Sequence, residues 1–135
     1  MEDKDLLLKD LCARLPYGVK VKFKVNEVIA NEKKFIYNVD GEYSYITDGK
    51  SYLTLDIIKM LSNNYLDEIK PYLFPLSSMT KEQSKTYHEL VSGMFGTSTL
   101  INFEVLTDFF HKNHLDYRGL IPKGLAIDAT GLNIY

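Results

Sequence analysis

Only one cysteine, Cys12, occurs in the 135 residues. No internal disulfide can form, and a thiolate metal site of several cysteines is excluded, which leads to the expectation of a reducing compartment. Long hydrophobic runs are lacking too. The apolar run Leu6-Leu7-Leu8 is far too short for a signal segment, and no other stretch approaches the ~18 residues of a membrane span. The expectation is a cytoplasmic protein with no membrane partner. Charge of one sign is scarce: 16 Lys and Arg face 18 Asp and Glu, a formal net charge of −2. No global basic field gathers nucleic acid or anionic lipid. The motifs of common chemistries are missing as well. There is no G-x-S-x-G, no Walker A loop, no G-x-G-x-x-G and no H-E-x-x-H. These absences assign no catalytic residue and no cofactor, and they turn the expectation away from an enzyme.

What is present describes one globular domain over residues 1–135. Hydrophobic residues make up 45% and charged residues 25%, an ordinary folded composition. Residues 4–15 carry Leu7, Leu8, Leu11, Cys12 and Leu15 at three- and four-residue steps, which predicts an amphipathic helix stopped by Pro16 and Gly18. Cys12 reads as a buried small residue on that face. Next, Val19, Val21, Phe23 and Val25 alternate with Lys20, Lys22, Lys24 and Asn26, the period of a half-buried strand. Residues 33–39, 42–47 and 50–55 continue in that style, with Asp40-Gly41 and Asp48-Gly49 reading as two-residue turns. The prediction is a four-stranded antiparallel meander with a bulge near residues 26–28. The favoured reading ends the last strand at about Leu55 before a helical turn; a short helix capped by Thr54 is the alternative.

Residues 70–79 hold Pro71 and Pro75 and are expected to form an extended strap across the body. Thr80 and Gln83 form a capping box for a helix reaching about Met94. A second helix is expected from Asn102 to about Asn113, burying Phe103, Leu106, Phe109 and Phe110. The tail reads as turns with one strand near residues 125–127. The fold class is therefore α+β, with an N-terminal helix, a four-stranded meander, a Pro-containing strap and two C-terminal helices.

Three groups of residues carry chemistry. Tyr43, Tyr45 and Tyr52 share one face of the predicted meander with Lys20, Lys22 and Lys24. Aromatic rings offer stacking surfaces to bases and lysines contact phosphates, so this face is a candidate for single-stranded nucleic acid. Tyrosine is also an ordinary strand residue that pairs across strands. His111, His114 and Asp116 make the one metal-like cluster, near a helix C-terminus, where histidines also interact with the helix dipole. Arg118, one of two arginines, follows Asp116 and Tyr117. It reads either as an anion clamp or as part of a structural ion pair, with Asp116 free to cap a helical turn.

Three segments, Leu6–Val21 (LLLKDLCARLPYGVKV), Lys70–Thr80 (KPYLFPLSSMT) and Asp116–Ala129 (DYRGLIPKGLAIDA), make up roughly a third of the chain. Together they resemble a set of small uncharacterised proteins of gut anaerobes and their phages and prophages. The resemblance implies a phage or mobile-element accessory protein and carries no activity, cofactor or site residue. The leading functional expectation is a non-enzymatic protein that binds another protein, given its aromatic content and lack of a reactive constellation. Nucleic-acid binding through the Tyr/Lys face is the alternative, and a small metal enzyme built on His111, His114 and Asp116 is the third.

Overall fold

The computed structural model describes residues 2–25, 36–37, 43–44, 48–93 and 99–135. It is a mixed α+β fold with an N-terminal helix, a central sheet and two C-terminal helices. Helix α1 spans Asp3–Arg14, with Asp3 and Asp5 in its first turn, where the helix dipole favours acids. A 3-10 turn, Leu15–Tyr17, follows, and Gly18 ends it in the left-handed region at φ 70°, a conformation that glycine adopts without steric cost. Leu7 and Leu11 are buried, as the periodicity predicts. Cys12 is exposed, which corrects its expected burial. The inner face of α1 instead carries Asp10 and Arg14, both wholly buried.

Strand β1, Lys20–Val25, follows the predicted alternation: Val19, Val21 and Phe23 are buried, whereas Lys22 and Lys24 are exposed. The meander itself is corrected. Strands β2 (Ile36–Tyr37) and β3 (Tyr43–Ser44) form their own two-stranded ribbon. Their register sets Ile36 opposite Ser44 and Tyr37 opposite Tyr43, one residue away from that of a two-residue turn. The Asp40-Gly41 turn and the bulge at 26–28 lie outside the described residues. Strand β4 spans Asp48–Tyr52 and pairs directly with β1, Lys20 opposite Tyr52 and Lys24 opposite Asp48. Asp48 and Gly49 are therefore strand residues and form no turn.

Thr54 caps helix α2, Leu55–Ser62, accepting a hydrogen bond from the Ile57 N–H at 3.3 Å. The favoured reading of this segment is corrected: the strand ends at Tyr52 and the alternative, the capped helix, is observed. Residues 66–75, read in part as a strap, form β5, Leu66–Pro75, the central strand between β1 and the late strands. Both prolines fit there for a local reason. The Val19 carbonyl accepts from the Leu53 N–H at 2.8 Å, so odd-numbered residues of β1 direct their backbone groups toward β4. Val21 is one of these, and its register partner is Pro71, which therefore needs no N–H on that side. Pro75 is the last residue of the strand. A register break lies at Lys24/Val25, where Glu68 and Leu66 are successive partners and Asp67 is the additional residue.

Helix α3, Lys81–Gly93, begins with the predicted capping box: Thr80 N–H donates to Gln83 Oε1 at 3.0 Å, and Gln83 N–H donates to Thr80 Oγ1 at 3.1 Å. Helix α4 spans Thr99–Lys112, starting three residues before the expected cap. It buries Leu106 and Phe110 against Tyr87, Leu90 and Val91 of α3, while Phe103 is 57% exposed, against expectation. Two short strands, β6 (Leu115–Asp116) and β7 (Ile127–Asp128), pair in parallel with the end of β5. The main core joins α1, α2 and the inner face of β1 and β5 through Leu11, Val21, Phe23, Ile57, Ile69 and Leu73. Truncating a fully buried leucine such as Leu11 costs about 2–5 kcal/mol.

Candidate binding face

The polar residues near the chain ends converge on one carboxylate. Arg14 Nε meets Asp10 Oδ2 at 2.8 Å, one helical turn away on α1. Arg118 Nε reaches Asp10 Oδ1 at 3.0 Å from the segment after β6. Arg14 also donates from Nη2 to the Leu115 carbonyl at 2.7 Å. Its Nη1 has no hydrogen-bond partner among the described residues, and its guanidinium carbon lies 5.5 Å from the centre of the Tyr117 ring. Arg118 approaches the same ring at 4.9 Å. Phe110 stacks on Tyr117 at 4.9 Å, and the Tyr117 hydroxyl lies 2.8 Å from His111 Nε2. Arg118 is thus an ion-pair partner of Asp10, a residue for which the sequence gives no separate signal.

The three metal candidates have separate engagements. His111 bonds to Tyr117. His114 stacks on Tyr135 with ring centres 3.8 Å apart. Asp116 accepts the Leu120 N–H on Oδ1 and the Ile121 N–H on Oδ2, both at 2.9 Å, and so caps the turn that follows. No group of three or more His, Cys, Asp or Glu that could hold a metal ion occurs among the described residues. Burial lowers the pKa of His111, aided by Arg14, and takes that of His114 down to about 4 for the same two reasons. Burial pushes the Tyr117 hydroxyl up and that of Tyr135 to about 12. Both imidazoles are therefore neutral at pH 7 and both phenols keep their protons.

Lys20, Lys22 and Lys24 stand in a different setting. Strand β1 lies between β4 and β5, so Lys22 and Lys24 have register partners on both sides. Lys24 stands between the register positions of Asp48 and Glu68, an acid on either hand. Lys22 stands between those of Lys50 and Lys70. Lys20 stands opposite Tyr52, and its ammonium lies 4.8 Å from the centre of that ring. Lys20 Nζ also donates to the Ile134 carbonyl at 2.8 Å. Tyr52 is 50% exposed. Among the tyrosines predicted for this face, Tyr52 joins the lysines more closely than the meander allowed. Tyr43 belongs to the separate ribbon, and Tyr45 lies outside the described residues.

A second concavity, an open groove of about 370 Å³, lies among α1, the end of α2, the start of β5 and Leu125. Its floor is apolar, with Leu7, Leu61 and Leu66. Three of its charged residues have partners: Lys4 Nζ bonds to Asn64 Oδ1 at 3.1 Å, and Lys70 Nζ lies 3.3 Å from Glu68 Oε1.

The chain matches no protein-family model, no curated protein and no solved structure at a significant level. The candidate site is therefore argued from its own geometry. No described helix is long and apolar enough to cross a membrane.

Proposed function

We propose that this protein is a non-enzymatic binding module that engages a negatively charged macromolecular partner on the outer face of β4–β1–β5. The observation that carries this reading is the contrast between the two polar regions. The clustered polar groups near the chain ends (Asp10, Arg14, His111, Asp116, Tyr117 and Arg118) hold one another or the backbone. Lys22 and Lys24, in contrast, project from β1 into solvent. A partner with acidic or phosphate groups satisfies such a surface without any reaction. The aromatic-rich composition suits a protein partner, and the resemblance of the three segments suggests a phage or mobile-element accessory role.

Retention on a heparin column tests the reading. The Lys22→Glu variant should elute at clearly lower salt than the parent while keeping its far-UV dichroism. Elution at the same salt would exclude this face as the binding surface.

A further inference from the structure

We propose that the groove between α1 and the start of β5 is a strand-addition site. It takes an extended segment of a partner polypeptide that carries an apolar residue with a basic neighbour, and the segment pairs with the open edge of β5 at Ile69. This goes beyond the lysine-face reading and stands or falls without it. The phase of the ladder decides which backbone groups are open. Lys22 pairs with Lys70, and Lys24 with Glu68. Odd-numbered residues of β1 direct their backbone groups toward β4, so the even-numbered ones bond to Lys70 and Glu68. Ile69 lies between those two, and its N–H and C=O therefore point away from β1.

Further along β5 that same side is in use. The Leu73 carbonyl, in phase with Ile69, accepts the Ala129 N–H at 2.8 Å. The pairing with β7 begins at Tyr72 and Ile127 and reaches no earlier residue of β5. Pro71 stops it there, because proline has no N–H to donate. The chain before β7 also spends its donors on itself. The Leu125 N–H bonds to the Leu120 carbonyl at 2.9 Å, and the Gly124 N–H to the Ile121 carbonyl at 3.0 Å. No described strand pairs with Ile69 on this side.

The open edge gives onto the groove of about 370 Å³, whose lining includes Ile69, Gly124 and Leu125. That volume is more than twice the ~150 Å³ that encloses a benzene ring. An added strand sends alternate side chains to opposite faces. One of its residues thus reaches the apolar floor of Leu7, Leu61 and Leu66 while its backbone bonds to Ile69. Charge specifies the neighbouring residue. Of the four charged residues in the lining, Asp67 is the one without a partner among the described residues. Regular alternation from Ile69 would turn residue 67 toward the core. The register break puts Leu66 there instead and leaves Asp67 exposed at the groove. A bulge and a charge on an edge deter indiscriminate strand pairing. Lys or Arg beside the apolar residue turns that obstacle into an attraction, because adjacent side chains of a strand point to opposite faces and the basic one stays in solvent with Asp67. A small apolar ligand would fill the floor but leave both Ile69 groups and Asp67 unused.

The test is selection of a random linear heptapeptide library against the full chain, followed by fluorescence anisotropy of the selected peptide made with blocked ends. The expected consensus is a large apolar residue next to Lys or Arg. Methylating the peptide's own backbone nitrogens one at a time leaves the protein unchanged. Methyl groups on the residues that donate to β5 should weaken binding roughly tenfold or more, and those on the alternating residues should have little effect. Amide exchange at Ile69 should slow on binding, whereas Glu68 and Lys70, already bonded to β1, should change little. Asp67→Asn should weaken the basic peptide by about two- to fivefold, the range of an exposed ion pair. No enriched sequence would overturn the assignment. So would a selected peptide that tolerates methylation at every position and leaves Ile69 exchange unchanged. An acidic consensus whose binding is lost in Lys22→Glu would also overturn it, while supporting the lysine face. Protection of Ile69 that rises with protein concentration in the absence of peptide would assign the edge to a second copy of the chain and overturn the partner named here.

Discussion

Asp10 and Arg118, 108 residues apart in sequence, meet in a 3.0 Å ion pair that ties α1 to the segment after β6. Asp10 is wholly buried and accepts from Arg14 on its other oxygen. Removing the carboxylate leaves two guanidinium groups facing each other, one of them without solvent. Asp10→Ala should therefore destabilise the fold by about 3–5 kcal/mol, as breaking a buried ion pair does. The melting temperature should fall by roughly 10–20 °C. Replacing all three residues by apolar ones of similar volume should recover much of that loss, because no unpaired charge then remains buried. Chemical denaturation of the single and triple variants measures both effects.

Tyr135 completes a ladder that two strands leave open. Its hydroxyl accepts the Lys20 N–H at 2.8 Å and donates to the Tyr72 carbonyl at 2.7 Å. Lys20 and Tyr72 would be the next pair in the β1–β5 register, and the phenol bridges them where the strands separate. Tyr135→Phe keeps the ring stacked on His114 and removes only that bridge. It should cost about 1–3 kcal/mol and speed hydrogen exchange at the Lys20 amide well beyond that of Lys22. Unchanged exchange at Lys20 would show that water substitutes for the hydroxyl.

The fold was legible wherever a local pattern decides the structure. The alternation in β1, the leucine spacing of α1 and the Thr80–Gln83 box depend on residues within one or two turns of each other. Elements set by distant partners were hidden. Asp48-Gly49 carries a strong turn signal, yet Gly49 pairs with Phe23, and the pairing with β1 overrides it. Two prolines disguised the central strand, because their tolerance depends on which side of β5 the Val21 carbonyl and N–H face. Asp10 gives no signal in the sequence, because the partners that bury it, Arg118 and Leu115, lie more than 100 residues away. On the binding face, the strand carrying Lys20, Lys22 and Lys24 was evident, as was Tyr52. Lys50 and Lys70 were not, since only the register brings them beside Lys22.

Cys12 lies on the solvent side of α1. The native chain should react with Ellman's reagent at one thiol without denaturant. Cys12→Ser should change stability by no more than about 0.5 kcal/mol, the range of surface substitutions. A thiol that titrates only after unfolding would return Cys12 to the core.

Acid should destabilise the protein before its carboxylates titrate. His114 takes a proton near pH 6.5 in the unfolded chain but only at about 4 in the folded one, because burial and the nearby Arg14 disfavour the imidazolium. His111 is shifted in the same direction, again by burial first. A depressed histidine pKa means that the unfolded state binds the proton first. Stability is therefore full above about pH 7 and falls as pH drops through 6.5 toward 4. His114 is partly open to solvent, so screening reduces the effect, and about 1 kcal/mol should be lost between pH 7.5 and 5 through this residue. His114 also sits at φ 55°, a left-handed conformation that asparagine adopts more readily than most residues. His114→Asn should relieve that backbone strain while removing the titrating ring and its stack on Tyr135. Urea midpoints at pH 7.5 and 5 should converge in the variant and separate in the parent. Equal separation in both would assign the acid sensitivity to His111 and its bond to Tyr117, which His111→Gln would then abolish.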